Sequence, residues 1–562
     1  MRAIIFGVGI FVSTLILYLL TAYPTVAYID SGELAVANWT LGIAHPTGYP
    51  LYTLLGRLFS LLPFELIKTQ ILFGALCTSL AVAIFSMRLV RILNVTELVQ
   101  QLTVAVAALA FGVAPLVWSQ GVTNEVYSLH LLMLALVVPL LFEKYSPRNL
   151  ILCSFVVGLS FGNHMSTVLL LPAVTYYLFV NRKSIIASPR SILCVIGVVA
   201  LAASLYLYLP IRSAQDPVFN WGQPTNWGNF MRHVSGWQYQ VWMFSRSFDE
   251  LIRSFGTFAV ILFKQFPPPY WLVIAYGFWI TWTSRRPIAV TLMLILACNI
   301  LYCLNFDIPD IDNYLLPSVL VLFTYSLVGI VSLAQVQTKV RLLGIPVLSA
   351  LLIWGVVANW SVNNQSKNTS ALDCVHNYYA CADSNSIILC ADWDYVSPWL
   401  YSHFYLKERP DVLMVDNELV RRSWYPDWIR HADDSFYRYI KTSVDAFLPH
   451  VQKFEAGQRY DPKKIEQTYQ DILNKIMLYP NRIIYFDQSV SLATSPPGEI
   501  VVAGQILRVV RAGENYSPRD FKISPPDFGK PADAYNDREL LHLRQYNTML
   551  EHMKNSRSPQ PN

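Results

Sequence analysis

The polar residues that interrupt an otherwise apolar run fall into six short clusters. They are Tyr28-Ile-Asp-Ser-Gly-Glu33, Leu41-Gly-Ile-Ala-His-Pro-Thr-Gly-Tyr-Pro-Leu-Tyr52, Asn124-Glu-Val-Tyr127, Gly162-Asn-His164, Leu209-Pro-Ile-Arg212 and Asp307-Ile-Pro-Asp-Ile-Asp-Asn-Tyr314. Carboxylates, imidazoles and a guanidinium in such a set suit group transfer from a phosphate-linked donor to a hydroxyl. That chemistry needs a base within hydrogen-bond reach of the acceptor and preorganised donors on the leaving phosphate. Asp30 is the candidate base, with Glu33 one turn on if the segment is helical. Asp-Ser-Gly-Glu also fits a helix-capping start, and the two roles are compatible. Arg212 is suited to fork onto a phosphate or to snorkel at an interface. His164 with Asn163 is placed to donate to the same phosphate, or else is structural. Glu125 is a candidate for sugar hydroxyls or for supporting Asp30. Asp307, Asp310 and Asp312 fit no calcium-loop spacing, so no metal is expected. The Trp221-Gly and Trp227-Gly pairs offer a stacking surface or interfacial anchors.

The elements that must carry these clusters are membrane helices. Of 562 residues, 54% are hydrophobic and only 14% charged, against about a quarter charged in soluble domains. The net charge of +5 is spread over short connections, which speaks against nucleic acid as a partner. Apolar runs predict about eleven crossings, near 4–21, 70–92, 99–118, 127–142, 149–162, 165–180, 191–210, 269–284, 288–304, 315–334 and 342–360. The first is read as an uncleaved signal anchor. The apolar stretch Leu251–Phe266, with Arg253 and Lys264, is assigned to an interfacial or re-entrant helix.

Arg88 and Arg91, Lys144 and Arg148, Arg182, Lys183 and Arg190, Arg285 and Arg286, and Lys339 and Arg341 occupy alternate connections. With the N-terminus inside, all are cytoplasmic, as the positive-inside rule requires, and the polar clusters gather on the opposite side. Ionisable groups at membrane depth usually face a cavity or a functional site.

A first unit over 1–361 is thus followed by a soluble extracytoplasmic α/β unit over 362–562. Within the latter, Ile387–Ala391, Val412–Val415, Ile483–Phe486 and Ile500–Val510 read as strands, and Ser397–Lys407 as helical. Ser556–Asn562 read as disordered. A Cys374–Cys381 disulfide is one option for the tail.

An Asp/Glu pair after the first crossing, followed by His-Pro, resembles GT-C glycosyltransferases that use polyprenyl-phosphate sugars. The ordered set Asp30–Glu33, Leu41–Tyr52, Glu125–Tyr127, Gly162–His164 and Tyr208–Arg212 is more closely similar to the transmembrane protein 260 family of O-mannosyltransferases, including its bacterial relatives. It departs at Thr47, where a second proline is usual. The resemblance covers roughly residues 1–320 and implies a GT-C fold with a lipid-phosphate sugar donor, mannose first. It implies an exported protein acceptor glycosylated on Ser or Thr, and an inverting displacement with Asp30 as base.

With it go Glu33 as a second catalytic group, Arg212, His164 and Asn163 on the donor phosphate, and His45, Glu125 and Tyr127 on substrate. No cofactor is expected beyond the lipid-linked donor, and the expected setting is a bacterial inner membrane. Two readings compete: a GT-C enzyme acting on an envelope glycan or lipid, and a transporter or non-enzymatic membrane protein. Transporters tend to carry internal repeats and midplane sites, and neither is seen.

Overall fold

The computed structural model describes residues 2–336, 338–490, 498–514, 516–517 and 520–557; the side chains of 2–3, 336–343 and 555–557 are outside that description, as are Lys339 and Arg341 among the expected basic residues. The apolar part is helical: α1 (Arg2–Thr21), α2 (Ser31–Thr40), α3 (Pro50–Phe59), α4 (Leu66–Ile92), α5 (Leu98–Gly112), α6 (Pro115–Val122), α7 (Tyr127–Phe142), α8 (Pro147–Phe161), α9 (Leu171–Val180), α10 (Arg182–Ile186), α11 (Pro189–Ala203), α12 (Tyr208–Ser213), α13 (Trp227–Val234), α14 (Phe248–Lys264), α15 (Tyr270–Ser284), α16 (Arg286–Leu304), α17 (Leu316–Val336) and α18 (Thr338–Asn363).

Among the described residues, six helices are long and apolar enough to cross a membrane: Ile4–Thr21, Leu66–Ile92, Pro189–Ser213, Arg286–Leu304, Ile311–Gln335 and Gly344–Asn363. A seventh counts if α5 and α6, bent by 69°, form one span. The bend falls where Pro115 opens α6, since a proline keeps the residue before it out of the helical region. The chain is therefore a multi-pass membrane protein. Every expected run coincides with helix, but α7, α8, Met165–Val180 and the 15-residue α15 are shorter than a full crossing. The Ile311–Gln335 helix is almost wholly enclosed by the others, whereas Pro189–Ser213 and Gly344–Asn363 lie at the periphery. The stretch expected to lie in the interface is α14, which is largely exposed and buries only Phe258 and Leu262.

Helix α4 separates two ends of the molecule by roughly 40 Å, at 1.5 Å per residue over 27 residues. At its last turn Arg88 pairs with Glu143 at 2.7 Å, and Arg285 donates to the Ile92 carbonyl at 3.4 Å. At its first turn the Leu66 N–H donates to Tyr405 of the tail at 3.0 Å. The basic connections and the tail thus sit at opposite ends.

The tail comprises α19 (Ser370–Cys381), β1 (Ser386–Cys390), α20 (Trp393–Tyr401), β2 (Val412–Asp416), α21 (Tyr425–Ala432), α22 (Asp434–Glu455), α23 (Pro462–Met477), β3 (Ile483–Phe486), β4 (Glu499–Ala503), β5 (Ile506–Val510) and α24 (Asp537–Arg557). Its five-stranded sheet has the order β2-β1-β3-β5-β4, parallel across β2, β1 and β3 and antiparallel beyond. β1 and β2 are buried throughout, as expected of parallel strands covered on both faces.

The expected single strand Ile500–Val510 is a hairpin, turned at Gly504, whose φ of +72° suits glycine. The expected helix at Ser397–Lys407 starts earlier, at Trp393. Ser556 and Arg557 lie in α24, not in a disordered tail; residues 558–562 are outside the description. Cys374 and Cys381 are not joined to each other. They lie seven positions apart on α19, about 10 Å along its axis, beyond disulfide reach.

Candidate active site

Asp30 occupies the N-cap position of α2, yet its side chain makes no capping bond. Asp30 Oδ1 accepts instead from Trp393 Nε1 at 2.7 Å, and Oδ2 lies 3.6 Å from His45 Nε2. Glu33 is fully buried and holds His45 twice, accepting from its backbone N–H at 2.7 Å and meeting Nδ1 at 2.6 Å. Tyr49 Oη meets His45 Nε2 at 2.8 Å. Glu33, expected as a second catalytic group, holds the imidazole that sits beside Asp30. Burial, followed by Glu33, pushes the Asp30 carboxyl up, while His45 and Trp393 pull it down; the net direction is up. Burial disfavours the His45 cation, but Asp30 and Glu33 together raise its pKa to about 10. Ligand atoms of Asp30, Glu33 and His45 lie within 4.8 Å of one another, close enough for one cation. The short Glu33–His45 bond would have to open for an ion to bind.

The chain folds this way because α2 is gripped at both ends. At its start the Ile29 N–H donates to Asp394 Oδ1 at 3.0 Å and the Glu33 N–H to Ser397 Oγ at 3.1 Å, both on α20. At its end Leu41 turns left-handed (φ 53°), and Arg212 donates to the Leu41 and Thr40 carbonyls at 2.7 and 3.0 Å. The expected donor-phosphate ligand Arg212 is thus engaged with backbone carbonyls. Its guanidinium neutralises the carbonyl end of α2, ten residues and about 15 Å from Asp30.

Asn163 is engaged in a similar way. Its amide nitrogen donates to the Val126 carbonyl at 3.1 Å, and its Oδ1 is buried without a partner. His164 retains its expected capacity: Nδ1 accepts from the Ser166 N–H at 3.3 Å, leaving the proton on Nε2. Burial, helped by His130 and His45, keeps this ring well below the usual histidine range and hence neutral.

Beside His164 stand Tyr127, whose hydroxyl donates to Asp310, and Tyr314. Burial, reinforced by Asp30 and Asp310, pushes Glu125 well above the usual carboxylate range. The six clusters do not all converge. Asp307 is mostly exposed and pairs with Arg246 at 2.7 Å, while Arg212 lies behind α2.

Trp221 enters the site because Ile43 and Asn220 bridge, with the Trp221 N–H donating to the Ile43 carbonyl at 3.2 Å. Its ring lies 6.1 Å from His45, 5.5 Å from Trp393 and 5.1 Å from Trp424. Trp227, by contrast, is 74% exposed. The tail supplies residues the sequence reading missed: Trp393, Asp394 and, from α24, Arg538 and His542, which meet Asp394 at 3.1 and 3.0 Å. Asp392-Trp393-Asp394 begin one residue past β1, and the carboxyl ends of parallel strands are where open α/β sheets bind ligands. That position was the available signal.

This arrangement of membrane helices has a counterpart of the same fold among solved structures. The solved structure of ArnT from Cupriavidus metallidurans in the apo state superposes with a TM-score of 0.52 at 12% identity, covering 89% of this chain and 97% of that one. Residues 30–186, which hold Asp30, Glu33, His45, Glu125, Tyr127 and His164, match the family described as the protein O-mannosyl-transferase TMEM260 N-terminal domain. Curated relatives include protein O-mannosyl-transferase tmem260 of Dictyostelium discoideum, 22% identical over 512 residues, and TMEM260 of Mus musculus, 27% identical over 472. The alignments take in 79% and 76% of this chain, but 60% and 64% of those proteins, so the chain spans a little over three fifths of their length.

Proposed function

We propose that the protein transfers a sugar, mannose first, from a polyprenyl-phosphate donor to a Ser or Thr hydroxyl of an exported protein. The observation that supports this reading above all is the Asp30 carboxylate, held by Trp393 and His45 in place of capping its helix. Asp30 takes the acceptor proton as the acceptor oxygen bonds to the anomeric carbon. The carbon–oxygen bond to phosphate breaks, its electron pair leaves with the lipid phosphate, and the anomeric centre inverts. His164 Nε2–H and Arg538 are the donors this reading sets against the leaving phosphate. Donor lipid enters from the helices, and acceptor from the tail side. The site faces away from the cytoplasm, because the basic connections lie at the other end; the setting in this reading is a bacterial inner membrane.

The test supplies radiolabelled polyprenyl-phosphate mannose to membranes holding the wild type or Asp30→Asn, and separates protein, glycan and lipid products. Label should enter protein and fall about 10²- to 10⁴-fold in the variant, the range for removing a positioned base. Label in glycan or lipid would reassign the acceptor. No transfer from several donor sugars by folded wild type would overturn the reading.

A further inference from the structure

Against Pro46, next to His45, lies a small open pocket of about 40 Å³ between the residue 221–238 loop region and the tail. Its walls include Trp221, His233 and Trp237 on one side and Arg422 and Trp424 on the other, with Pro46 of the catalytic loop at its inner end. The aromatic faces provide a rigid, partly apolar lining. The polar groups among them are short of partners.

His233 is 3% exposed and neither of its ring nitrogens has a hydrogen bond. It is wedged against the catalytic loop: a Cβ on Gly48 would lie 2.8 Å from Nε2, and one on Gly222 2.8 Å from Nδ1. Trp221 Nε1 and Arg422 Nε are likewise buried without partners. Unsatisfied buried donors are rare enough in native proteins that each calls for an explanation, and three around one cavity point to an oxygen-rich occupant.

The charges point the same way. Glu455, the carboxylate in the wall, is already engaged: it accepts from the Ser423 N–H at 3.1 Å and from Ser423 Oγ, and it pairs with Arg232 at 3.8 Å. Arg422 makes no side-chain hydrogen bond or ion pair among the described residues, so one cation stays uncompensated. The cavity reaches Pro46, the neighbour of His45, and is otherwise built from the residue 221–238 region and the tail.

We propose that this cavity is the acceptor subsite, taking an extended peptide segment that presents its carbonyls to Trp221 and His233 and an acidic side chain to Arg422, beside the Ser or Thr that receives the sugar. This rests on the transferase reading, and the two can fail separately. Transfer to any peptide by wild type tests that reading, and the peptide preference tests this one.

The experiment uses the full-length protein in detergent with two synthetic peptides, each with a single Thr, flanked by Asp in one and Asn in the other. Wild type should show an acceptor KM about tenfold lower for the Asp peptide, the scale of one charge-assisted hydrogen bond. Arg422→Gln should abolish that difference, the change falling on acceptor KM and not on donor KM. Arg422→Glu should reverse it in favour of a Lys-flanked peptide. Donor-free binding, followed by quenching of tryptophan fluorescence, should show the same order even without turnover. Equal KM and equal binding for the two peptides, or an Arg422→Gln defect that appears in donor KM, would overturn the assignment; the latter would make the cavity a donor headgroup site.

Discussion

Replacing Trp393 by phenylalanine removes the indole N–H and narrows the two-ring side chain to one ring. The ring stays against Trp221, but the 2.7 Å bond from Nε1 to Asp30 Oδ1 is lost. Hydrogen bonds to charged groups contribute about 1.5–3 kcal/mol, so if the bond orients the base in the transition state, transfer should slow about 10- to 100-fold. The pH profile carries the sign. In the proposed reaction Asp30 acts deprotonated; burial already pushes its carboxyl up, and Trp393 is among the groups that pull it down. Without that donor the pKa rises further. The acidic limb of kcat/KM should move to higher pH, with the greatest loss at low pH and partial recovery once Asp30 is ionised. The assay is transfer from polyprenyl-phosphate mannose by reconstituted Trp393→Phe protein across pH 5–9. Wild-type rates with an unmoved acidic limb would refute the argument and reduce Trp393 to a packing contact between tail and helices.

Other perturbations separate positioning from chemistry. Gly32→Ala would place a Cβ 2.1 Å from the Ser397 carbonyl, so α2 must part from α20; destabilisation of about 1–3 kcal/mol should appear as a lower melting temperature, with activity lost. Arg212→Ala should lower the melting temperature through loss of its bonds to Thr40 and Leu41 while donor KM stays near wild type; a raised donor KM at unchanged stability would mark it as a phosphate ligand. Glu33→Gln removes one of the carboxylates that raise His45 to about 10, so the imidazole should titrate at lower pH, as read by NMR of labelled histidine. Chelation by EDTA should leave transfer intact; loss reversed by a divalent cation would put an ion on Asp30, Glu33 and His45.

Local signals carried far in this chain where one segment settled the matter. Apolar length located the helices, and the basic connections marked one end of the bundle, where Arg88, Glu143 and Arg285 now meet neighbouring helices. Asp30, Glu33 and His45 were legible because they sit within sixteen residues on one loop and a short helix. The carbonyl contacts of Arg212 were not legible, because a guanidinium serves a phosphate or a row of helix carbonyls equally well, and the αL turn at Leu41 that presents them is a feature of the fold. Trp393 and Arg538 were out of reach for a different reason. They lie more than 350 residues from Asp30, and nothing local in a soluble-looking tail indicates which of its loops returns to the membrane helices.

That return explains the division of labour between two carboxylates at the junction. Asp30 and Asp394 flank the same turn and share the Trp393 connection, yet their environments push them in opposite directions. Burial drives both up. For Asp394 the opposing donors prevail: His542, Arg538 and the Ile29 N–H hold its carboxyl below the usual aspartate range. For Asp30 the Trp393 bond and His45 do not fully offset burial and the nearby Glu33 charge. Paired acids driven apart in this manner are how one site assigns separate roles. Asp394 remains ionised over the neutral range and works as an anchor, fixing the strained Ile29 backbone (φ 62°) and α24 to the catalytic loop. Asp30 remains free to accept a proton. The tail is therefore part of the candidate site: with α20 and α24 displaced, Ile29 would lose its restraint and Asp30 its Trp393 donor together.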